Sequence, residues 1–386
     1  MKNKKQLELY IHIPFCARKC EYCDFLSFVT PMSVQRAYAE KLTEEIIAES
    51  TGVKDYQVST IFIGGGTPSV LPSDCMEQIM AAVWQHYDVK EDAEITIEAN
   101  PGTLTEEKLK IYRMAGINRI SLGLQSADDW ELRLLGRIHT YDDFLKSFQR
   151  VRLAGFDNVN VDLMSALPGQ TMESWEKTMK KVLMLRPEHI SAYSLIVEPG
   201  TPFYDKYGCL GEAYPPLPDE DTEREMYYMT EQILLDHGYE RYEISNYSRP
   251  GKECRHNIGY WTGVDYLGLG LGASSYVSGY RFRKECDLSV YLDIHTGKEF
   301  PGNLYRDINF LTTKEKMEEF MFLGLRMTKG VSGSSFAEKF GHNMWNIYGK
   351  QIEKLEKEGL LEVRKPEIKL TSKGIDLSNY ALSQFI

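Results

Sequence analysis

Short β-branched runs alternate with amphipathic helical patterns over residues 1–200, and this alternation restricts the folds open to the chain. The runs are Tyr10–Ile13, Thr60–Ile63, Glu94–Ala99, Arg119–Leu124, Val159–Leu163 and His189–Val197. Strands separated by helices predict an α/β fold with a parallel sheet and crossover helices. Six units are too few for a closed eight-fold barrel, so we expect a partial, open, TIM-like barrel. Ligands of such sheets bind at the carboxyl ends of the strands.

The rest of the chain divides into two further regions. Residues 201–305 are rich in Tyr, Gly and Pro, and we expect an extension of irregular structure with a few short strands. In residues 306–386, helical patterns at 312–327, 336–340 and 345–359 precede a hairpin pattern around Pro366. Three helices followed by a short hairpin predict a small α+β, winged-helix-like domain.

Net charge and the N-terminal sequence restrict the partners and the compartment. A net charge of −11 over 386 residues argues against nucleic acid as a partner, because phosphate binding needs a concentrated basic surface. The basic start, Met1–Lys5, leads into Glu8 and His12 rather than a cleavage site, so we expect no signal peptide. No apolar run is long enough to span a bilayer. We therefore expect a cytoplasmic protein, in a compartment where thiols stay reduced.

Cys16, Cys20 and Cys23 have the spacing C-x3-C-x2-C directly after the first β run. Thiolates suit iron–sulfur clusters and zinc, and three of them reach only three corners of a cubane. The fourth iron would be open to an exogenous ligand, as the radical chemistry of S-adenosylmethionine requires. Zinc would need a fourth protein ligand from a second pair, and no such pair follows. The spacing favours a [4Fe–4S] cluster, with zinc second and unliganded core cysteines third.

The remaining cysteines occur singly along the chain. They are Cys75, Cys209, Cys254 and Cys286. A disulfide framework would suit a secreted chain with an even number of cysteines, and this chain has seven. We expect these four to be dispensable for the cluster.

Two glycine runs differ in their context. Gly64–Pro68 directly follows the second β run but lacks the lysine and hydroxyl of a phosphate loop. It is either a cradle for the amino-acid end of S-adenosylmethionine or simply a tight turn. Gly268–Gly272 lacks the strand and helix that flank a dinucleotide fingerprint, and we expect close backbone packing there.

Polar side chains lie on or just after the later β runs. They are Glu98, Gln125, Arg137 and Asp162. Any one of them could be an exposed surface group, but a polar group inside an apolar strand needs a buried partner. A zwitterionic, ribose-bearing cofactor would supply such partners. We therefore expect these residues to meet the cysteines at one mouth of the barrel.

Several strings resemble the oxygen-independent coproporphyrinogen III oxidase family of radical S-adenosylmethionine (SAM) proteins. They are Tyr10–Cys16, Gly64–Pro68, Leu122–Ser126, Val161–Leu163 and Leu167–Thr171, and Cys20–Cys23 resembles the radical SAM signature. The resemblance covers nearly the whole chain and implies a [4Fe–4S] cluster on Cys16, Cys20 and Cys23. It also implies SAM contacts at Tyr10, Tyr22, Gly65, Gly66, Thr67, Glu98, Gln125, Arg137, Asp162 and Ile196.

Two departures separate the chain from the oxidases of this family. The oxidases carry a further cysteine two residues after the cluster motif, where this chain has Asp24-Phe25. The string His256–Trp261 instead matches the H-N-x-x-Y-W pattern of the family's heme chaperones. The resemblance thus implies a carrier that binds heme and passes it to an acceptor protein, with membrane contact through that acceptor. The alternatives are decarboxylation of coproporphyrinogen propionates in porphyrin biosynthesis and radical chemistry on an unrelated substrate.

His256 has two interpretations. A neutral imidazole is a common axial ligand of heme iron, and Tyr260 with Trp261 would wall a flat macrocycle. Alternatively, His256 is hydrogen-bonded to a nearby backbone carbonyl, and the two aromatic residues belong to the core. Cys254 is a second candidate for the iron ligand.

Overall fold

The computed structural model describes residues 4–208, 214–294 and 302–386, so Cys209 lies outside the described residues. The strands are β1 Lys5–Ile13, β2 Tyr56–Gly65, β3 Val89–Ala99, β4 Arg119–Gln125, β5 Val159–Ser165, β6 His189–Ser194, β7 Glu240–Arg241, β8 Asn246–Ser248, β9 Asp265–Leu269, β10 Ser274–Val277, β11 Tyr280–Lys284, β12 Tyr305–Phe310, β13 Val331–Ser332, β14 Leu361–Arg364 and β15 Glu367–Leu370. The α-helices are α1 Met32–Glu49, α2 Ser73–His86, α3 Glu106–Met114, α4 Asp129–Leu134, α5 Tyr141–Leu153, α6 Met172–Leu183, α7 Pro202–Tyr207, α8 Glu220–Asp236, α9 Arg255–Thr262, α10 Leu288–Asp293, α11 Thr313–Gly324, α12 Gly333–Phe340, α13 Met344–Lys357, α14 Ser372–Asp376 and α15 Ser378–Ser383. Two short 3₁₀ helices cover Ser50–Val53 and Pro68–Val70.

Strands β1 to β6 are parallel neighbours in sequence order, which confirms the predicted open α/β barrel. Successive side chains of a strand point to opposite faces of the sheet. In β1, Leu7, Leu9 and Ile11 are fully buried in the main hydrophobic core. The residues between them, among them Tyr10, lie on the other face, so polar and aromatic groups reach the inside of the barrel.

The extension continues this sheet. Strand β9 pairs parallel with β1, and β8 pairs antiparallel with β6, so both edges of the six-stranded unit are extended. The expectation of irregular structure was incomplete, since α8 is a helix of 17 residues. Asp219 caps its N-terminus through the backbone N–H of Thr222. Its buried residues Met226, Thr230 and Leu234 recur every four positions and form a narrow buried stripe on a charged helix.

The C-terminal region has its own core. Helices α11 to α13 pack on an antiparallel sheet of order β13-β15-β14, and β14 and β15 form the predicted hairpin. Met321, Phe336, Leu355 and Ile368 are among the buried residues of this second core. The predicted small α+β domain is therefore present. Its exact limits, like those of the first two regions, stay a prediction.

The second glycine run packs as expected. A Cβ on Gly268 would lie 2.2 Å from the carbonyl oxygen of Ser274, and one on Gly270 would lie 2.8 Å from that of His12. Close approach of backbones therefore explains these glycines.

Among the helices within the described ranges, none combines the length and the apolar character that a membrane crossing requires.

Candidate cofactor sites at the barrel mouth and in an aromatic cavity

The three cysteines lie on the loop that leaves the carboxyl end of β1. The loop closes on itself, because Phe28 N–H donates to the Pro14 carbonyl (2.8 Å) and Cys16 N–H donates to the Phe28 carbonyl (2.9 Å). All three thiols are partly exposed, and burial raises the pKa of Cys23 to about 11. In residues 4–208, 214–294 and 302–386, no three His, Cys, Asp or Glu side chains are arranged to hold a single metal ion. A cubane binds each thiolate through a separate iron, so its ligands need not converge on one point.

The glycine loop after β2 holds the cysteine segment against the sheet. Gly65 has a φ of +114°, and a Cβ there would lie 2.5 Å from the His12 ring. A Cβ on Gly66 would lie 2.7 Å from the Phe15 carbonyl oxygen, and Thr67 N–H donates to the same oxygen at 2.7 Å. Tight packing is thus sufficient to explain these glycines. The cradle for a cofactor stays a proposal.

Two carboxylates lie deeper in the barrel. Glu98 accepts a hydrogen bond from Gly65 N–H at 3.1 Å. Burial and the nearby Asp162 raise the pKa of Glu98 to about 8. Asp162 accepts hydrogen bonds from Ser121 Oγ (2.9 Å) and Tyr193 OH (2.8 Å), and also from Asn160 Nδ2. Both carboxylates are therefore fixed in orientation by the sheet.

Gln125 and Arg137 carry buried atoms that lack partners. Gln125 ends β4 in the left-handed region (φ 72°), a conformation that costs energy for a residue with a side chain. Its Oε1 is buried and accepts no hydrogen bond from any described residue, and the same lack of a partner holds for Arg137 Nε. Arg137 Nη1 donates to Cys20 Sγ at 3.6 Å. Unpartnered buried polar atoms beside the cysteines fit a site built for a polar cofactor.

The remaining residues of the implied SAM site are more scattered. Tyr22 packs edge-on against Phe203 with ring centroids 6.3 Å apart, and burial raises the pKa of its hydroxyl. Ile196 follows β6 and is 68% exposed. Tyr10 donates to or accepts from His12 Nδ1 at 3.0 Å and faces a separate cavity. The structure therefore groups Thr67 and Arg137 with the cysteines, whereas Tyr10 lines the other cavity and Ile196 is largely exposed.

Asn100 is a residue of this mouth that the sequence analysis did not select. Its Nδ2 donates to Thr67 Oγ1 at 2.8 Å, and its Oδ1 accepts from Arg137 Nη2 at 2.7 Å. The available signal was its position, one residue after the end of β3 and two after Glu98. A polar residue at the carboxyl end of a parallel strand is a candidate ligand-binding residue by that position alone.

A cavity of about 520 Å³ lies between the sheet, α9 and α11, and we call it the aromatic cavity. Its aromatic walls are Tyr10, Tyr260, Trp261, Tyr266 and Tyr276. Trp261 Nε1 is buried and has no hydrogen-bond partner within the described part of the chain. Arg281, also in the lining, pairs with Glu319 through two hydrogen bonds of 2.5 and 3.1 Å. The cavity thus joins flat apolar walls with a few polar groups, as small-molecule sites do.

His256 lies under this cavity and is buried. Its Nδ1 is 2.7 Å from Thr60 Oγ1, and its Nε2 is 3.0 Å from Tyr260 OH. Burial, and then the nearby Arg119, lower its pKa to about 3. Both nitrogens are thus engaged, so the hydrogen-bonded interpretation describes the ring, with hydroxyls in place of a backbone carbonyl. Tyr260 and Trp261, however, line a cavity.

Cys254 is also buried. Its thiol donates to Glu94 Oε1 at 3.5 Å, and burial raises its pKa to about 12. A protonated, enclosed thiol is a poor iron ligand.

Comparison with known proteins assigns the chain to a family. The Radical SAM superfamily matches residues 10–182, and the HemN C-terminal domain matches residues 311–377. Heme chaperone HemW of Bacillus subtilis (strain 168) is 39% identical over 378 residues, covering 98% of each chain. Heme chaperone HemW of Lactococcus lactis (strain IL1403) is 38% identical and covers 99% of this chain and 98% of its own. The chain belongs to the HemW family.

The chain shares its fold with a solved radical SAM enzyme. Coproporphyrinogen III oxidase (HemN) from Escherichia coli superimposes with a TM-score of 0.86 at 24% identity, covering 99% of this chain and 90% of its own. At that identity the match shows the fold alone. It is the fold expected from the strand–helix alternation.

Helix α9 contains the H-N-x-x-Y-W string of this HemW chain. Glu94 accepts hydrogen bonds from the backbone N–H groups of Arg255 (3.1 Å) and His256 (3.2 Å), which are free at a helix N-terminus. Trp261, at the other end of the string, packs its ring 4.4 Å from the Arg326 guanidinium of the C-terminal region. The string therefore joins the barrel to the C-terminal domain.

Proposed function

We propose that this chain binds heme and passes it to an acceptor protein, and that it carries a [4Fe–4S] cluster and S-adenosylmethionine. The relatives named heme chaperone HemW match it from end to end, which supports the proposal. The observation that carries it is the aromatic cavity, because two of its walls come from the H-N-x-x-Y-W string.

Heme suits the chemistry of this cavity. The macrocycle is flat and apolar, and the rings of Tyr260, Trp261 and Tyr266 offer matching surfaces. Heme also carries propionates, which need hydrogen-bond donors. The unpartnered Nε1 of Trp261 and the Arg281 guanidinium can supply them. His256 does not reach the cavity with a free nitrogen, so we propose that it acts on heme binding through Tyr260.

The second site is at the barrel mouth. We propose that Cys16, Cys20 and Cys23 hold the cluster, and that Gly65, Gly66, Thr67, Glu98, Gln125, Arg137 and Asp162 bind SAM. When bound, these groups would supply a one-electron source and a radical precursor. The chain's own residues would orient them: Arg137 beside Cys20, and Glu98 and Asp162 deeper in the barrel. A cluster of this kind suits the reducing cytoplasm, where we place the protein.

Oxidation of coproporphyrinogen III is the second candidate function, because strings such as Tyr10–Cys16 and Gly64–Pro68 resemble the oxidase family. It is disfavoured at the cluster loop, where Asp24 and Phe25 stand in place of a further cysteine. We therefore expect no conversion of coproporphyrinogen III.

Anaerobic reconstitution followed by two parallel assays tests the proposal. Heme titration is compared between the wild-type protein, Trp261→Phe, which removes the buried Nε1 donor, and Trp130→Phe as a matched control on the distant helix α4. We expect heme binding in wild type and control and weaker binding in Trp261→Phe. Turnover is assayed with coproporphyrinogen III, SAM and a low-potential reductant. Sustained product formation would favour the oxidase function. Equal heme affinity in all three proteins would indicate that heme does not bind in the aromatic cavity.

A further inference from the structure

A series of hydrogen bonds connects two of the three cysteines. Thr67 Oγ1 donates to Cys16 Sγ at 3.5 Å and accepts from Asn100 Nδ2 at 2.8 Å. Arg137 Nη2 donates to Asn100 Oδ1 at 2.7 Å, and its Nη1 donates to Cys20 Sγ at 3.6 Å. We call Thr67, Asn100 and Arg137 the Asn100 bridge. Asn100 is its central member and touches neither sulfur in these contacts.

The chemistry of the three side chains fixes which atom donates and which accepts in each hydrogen bond of the bridge. A guanidinium has donors only, so the end of the Asn100 side chain that faces Arg137 must be its oxygen. The amide nitrogen therefore faces Thr67 and donates to its hydroxyl. A hydroxyl has one proton, and because its oxygen accepts from Asn100, that proton is directed to Cys16. A carboxamide is the group that can supply a donor to one neighbour and an acceptor to the other.

The fold holds Asn100 independently of the cysteines. The Asn100 carbonyl accepts from Thr103 Oγ1 at 2.7 Å, which fixes the backbone after β3. Gly123 on β4 leaves room for the side chain, since a Cβ there would lie 2.9 Å from Asn100 Oδ1 and 3.2 Å from Arg137 Nη2. The glycine in the string Leu122–Gln125 thus has a local explanation. The bridge fills the space that it leaves.

We propose that Asn100 is a positioning residue for the cluster, an inference that rests on the proposed cluster ligands Cys16, Cys20 and Cys23. Hydrogen bonds to ligating sulfurs stabilise the more negative, reduced state of a cluster and so raise its reduction potential. Asn100 directs one such bond through Thr67 and the other through Arg137. It therefore sets the potential of the cluster without binding iron.

Substitutions in the full-length, reconstituted protein test the bridge. Asn100→Asp is nearly isosteric and still accepts from Arg137, but it cannot donate to Thr67, whose hydroxyl proton would turn from Cys16 to the new carboxylate. Thr67→Val removes the donor to Cys16 without adding charge, and Thr67→Ser retains it. Asn303→Asp, at an exposed position, controls for the change in the net charge of the protein. Iron and sulfide content, the midpoint potential and the electron paramagnetic resonance of the reduced cluster are measured for each.

We expect wild type, Thr67→Ser and Asn303→Asp to share one potential, and Thr67→Val and Asn100→Asp to fall to more negative values with iron retained. We also expect Asn100→Asp to lower the potential less in a Thr67→Val background, because contacting residues in one network are not additive. If Asn100→Asp lowers the potential equally in both backgrounds, the effect is that of the added charge alone, and the proposal is overturned. Equal potentials of Thr67→Val and Thr67→Ser would also overturn the proposal. This second comparison decides the test if Asn100→Asp loses its iron. A wild-type protein that takes up no cluster would overturn the proposed cluster as well, which separates the two failures.

Discussion

Glu8 lies directly against Gly259, so close that a Cβ on the glycine would be 1.8 Å from Glu8 Oε1. Gly259 is one of the two unspecified positions of the H-N-x-x-Y-W string, and Glu8 lies on the first strand of the barrel. Helix α9 can therefore seat on the sheet only with a glycine at this point. The contact holds Tyr260 and Trp261 in place as walls of the aromatic cavity.

Gly259→Ala should destabilise the protein because the added methyl group overlaps a buried side chain. Overpacking of this kind costs about 1–3 kcal/mol in the free energy of unfolding. Gly349→Ala is the matched control, since it lies in helix α13, where the added Cβ would meet nothing within 4 Å apart from the adjoining residues of its own helix. There we expect a gain of roughly 0.5–1 kcal/mol from helix propensity. Denaturant unfolding of both variants checks the pair, and equal stabilities would contradict the seating of α9.

The buried Glu8 carboxyl should make stability fall with pH. Burial and the nearby Glu94 raise its pKa from 4.5 to about 9, although a contact with Thr60 acts in the opposite direction. Between those values the unfolded chain releases a proton that the folded chain keeps, so unfolding becomes progressively easier as the pH rises from 4.5 to about 9. Glu8→Gln removes this titration. Its stability relative to wild type should therefore increase across that window, in unfolding curves at pH 5 and pH 8. Glu91→Gln, the same substitution at an exposed position, is the matched control.

Replacing Cys16, Cys20 or Cys23 with Ala should abolish the visible absorbance of the reconstituted cluster. The helical content should be retained, because all three lie on a loop and are partly exposed. Cys75→Ala, in helix α2, should leave iron content unchanged. Full iron content in Cys20→Ala, or an equal loss of iron in Cys75→Ala, would show that other residues hold the cluster.

Alanine at Asp162 or Arg137 should weaken SAM binding. Each side chain is placed to form a charge-assisted hydrogen bond, which is worth roughly 1.5–3 kcal/mol. Calorimetric titration measures the change, with iron content determined alongside because Arg137 also contacts Cys20. Arg36→Ala, which breaks an exposed ion pair with Asp74, is the control. Unchanged affinity in both test variants would place the cofactor elsewhere.

His256→Gln should lower heme affinity without moving the heme absorbance maximum. The ring orients Tyr260 and is not expected to bind iron, since both nitrogens are occupied by hydroxyls. Tyr260→Phe removes the same hydrogen bond from its other end and should produce a similar loss. A shift of the maximum in His256→Gln, absent from Tyr260→Phe, would instead identify His256 as the iron ligand.

The strand–helix alternation and the cysteine spacing could be interpreted from the sequence because both depend on near neighbours in the chain. The apolar positions Leu7, Leu9 and Ile11 alternate as a strand requires, and Cys16, Cys20 and Cys23 occupy one short loop. Helix α8 was missed because its buried stripe is narrow, although Asp219 and the acidic first turn are signals of a helix N-terminus. Periodicity is weak evidence where most of a helix faces solvent.

Only the tertiary structure decided what His256 and Asn100 contact. His256 meets Thr60, 196 residues away in sequence, and Asn100 joins Thr67 to Arg137 across three strand ends. The aromatic cavity likewise needs side chains from β1, β9, β10 and α9 together. Sequence determines which residue types each element offers to its inner face. Whether a side chain is buried, and what it hydrogen-bonds to, depends on which elements pack against one another. That choice is made by contacts between residues far apart in the sequence.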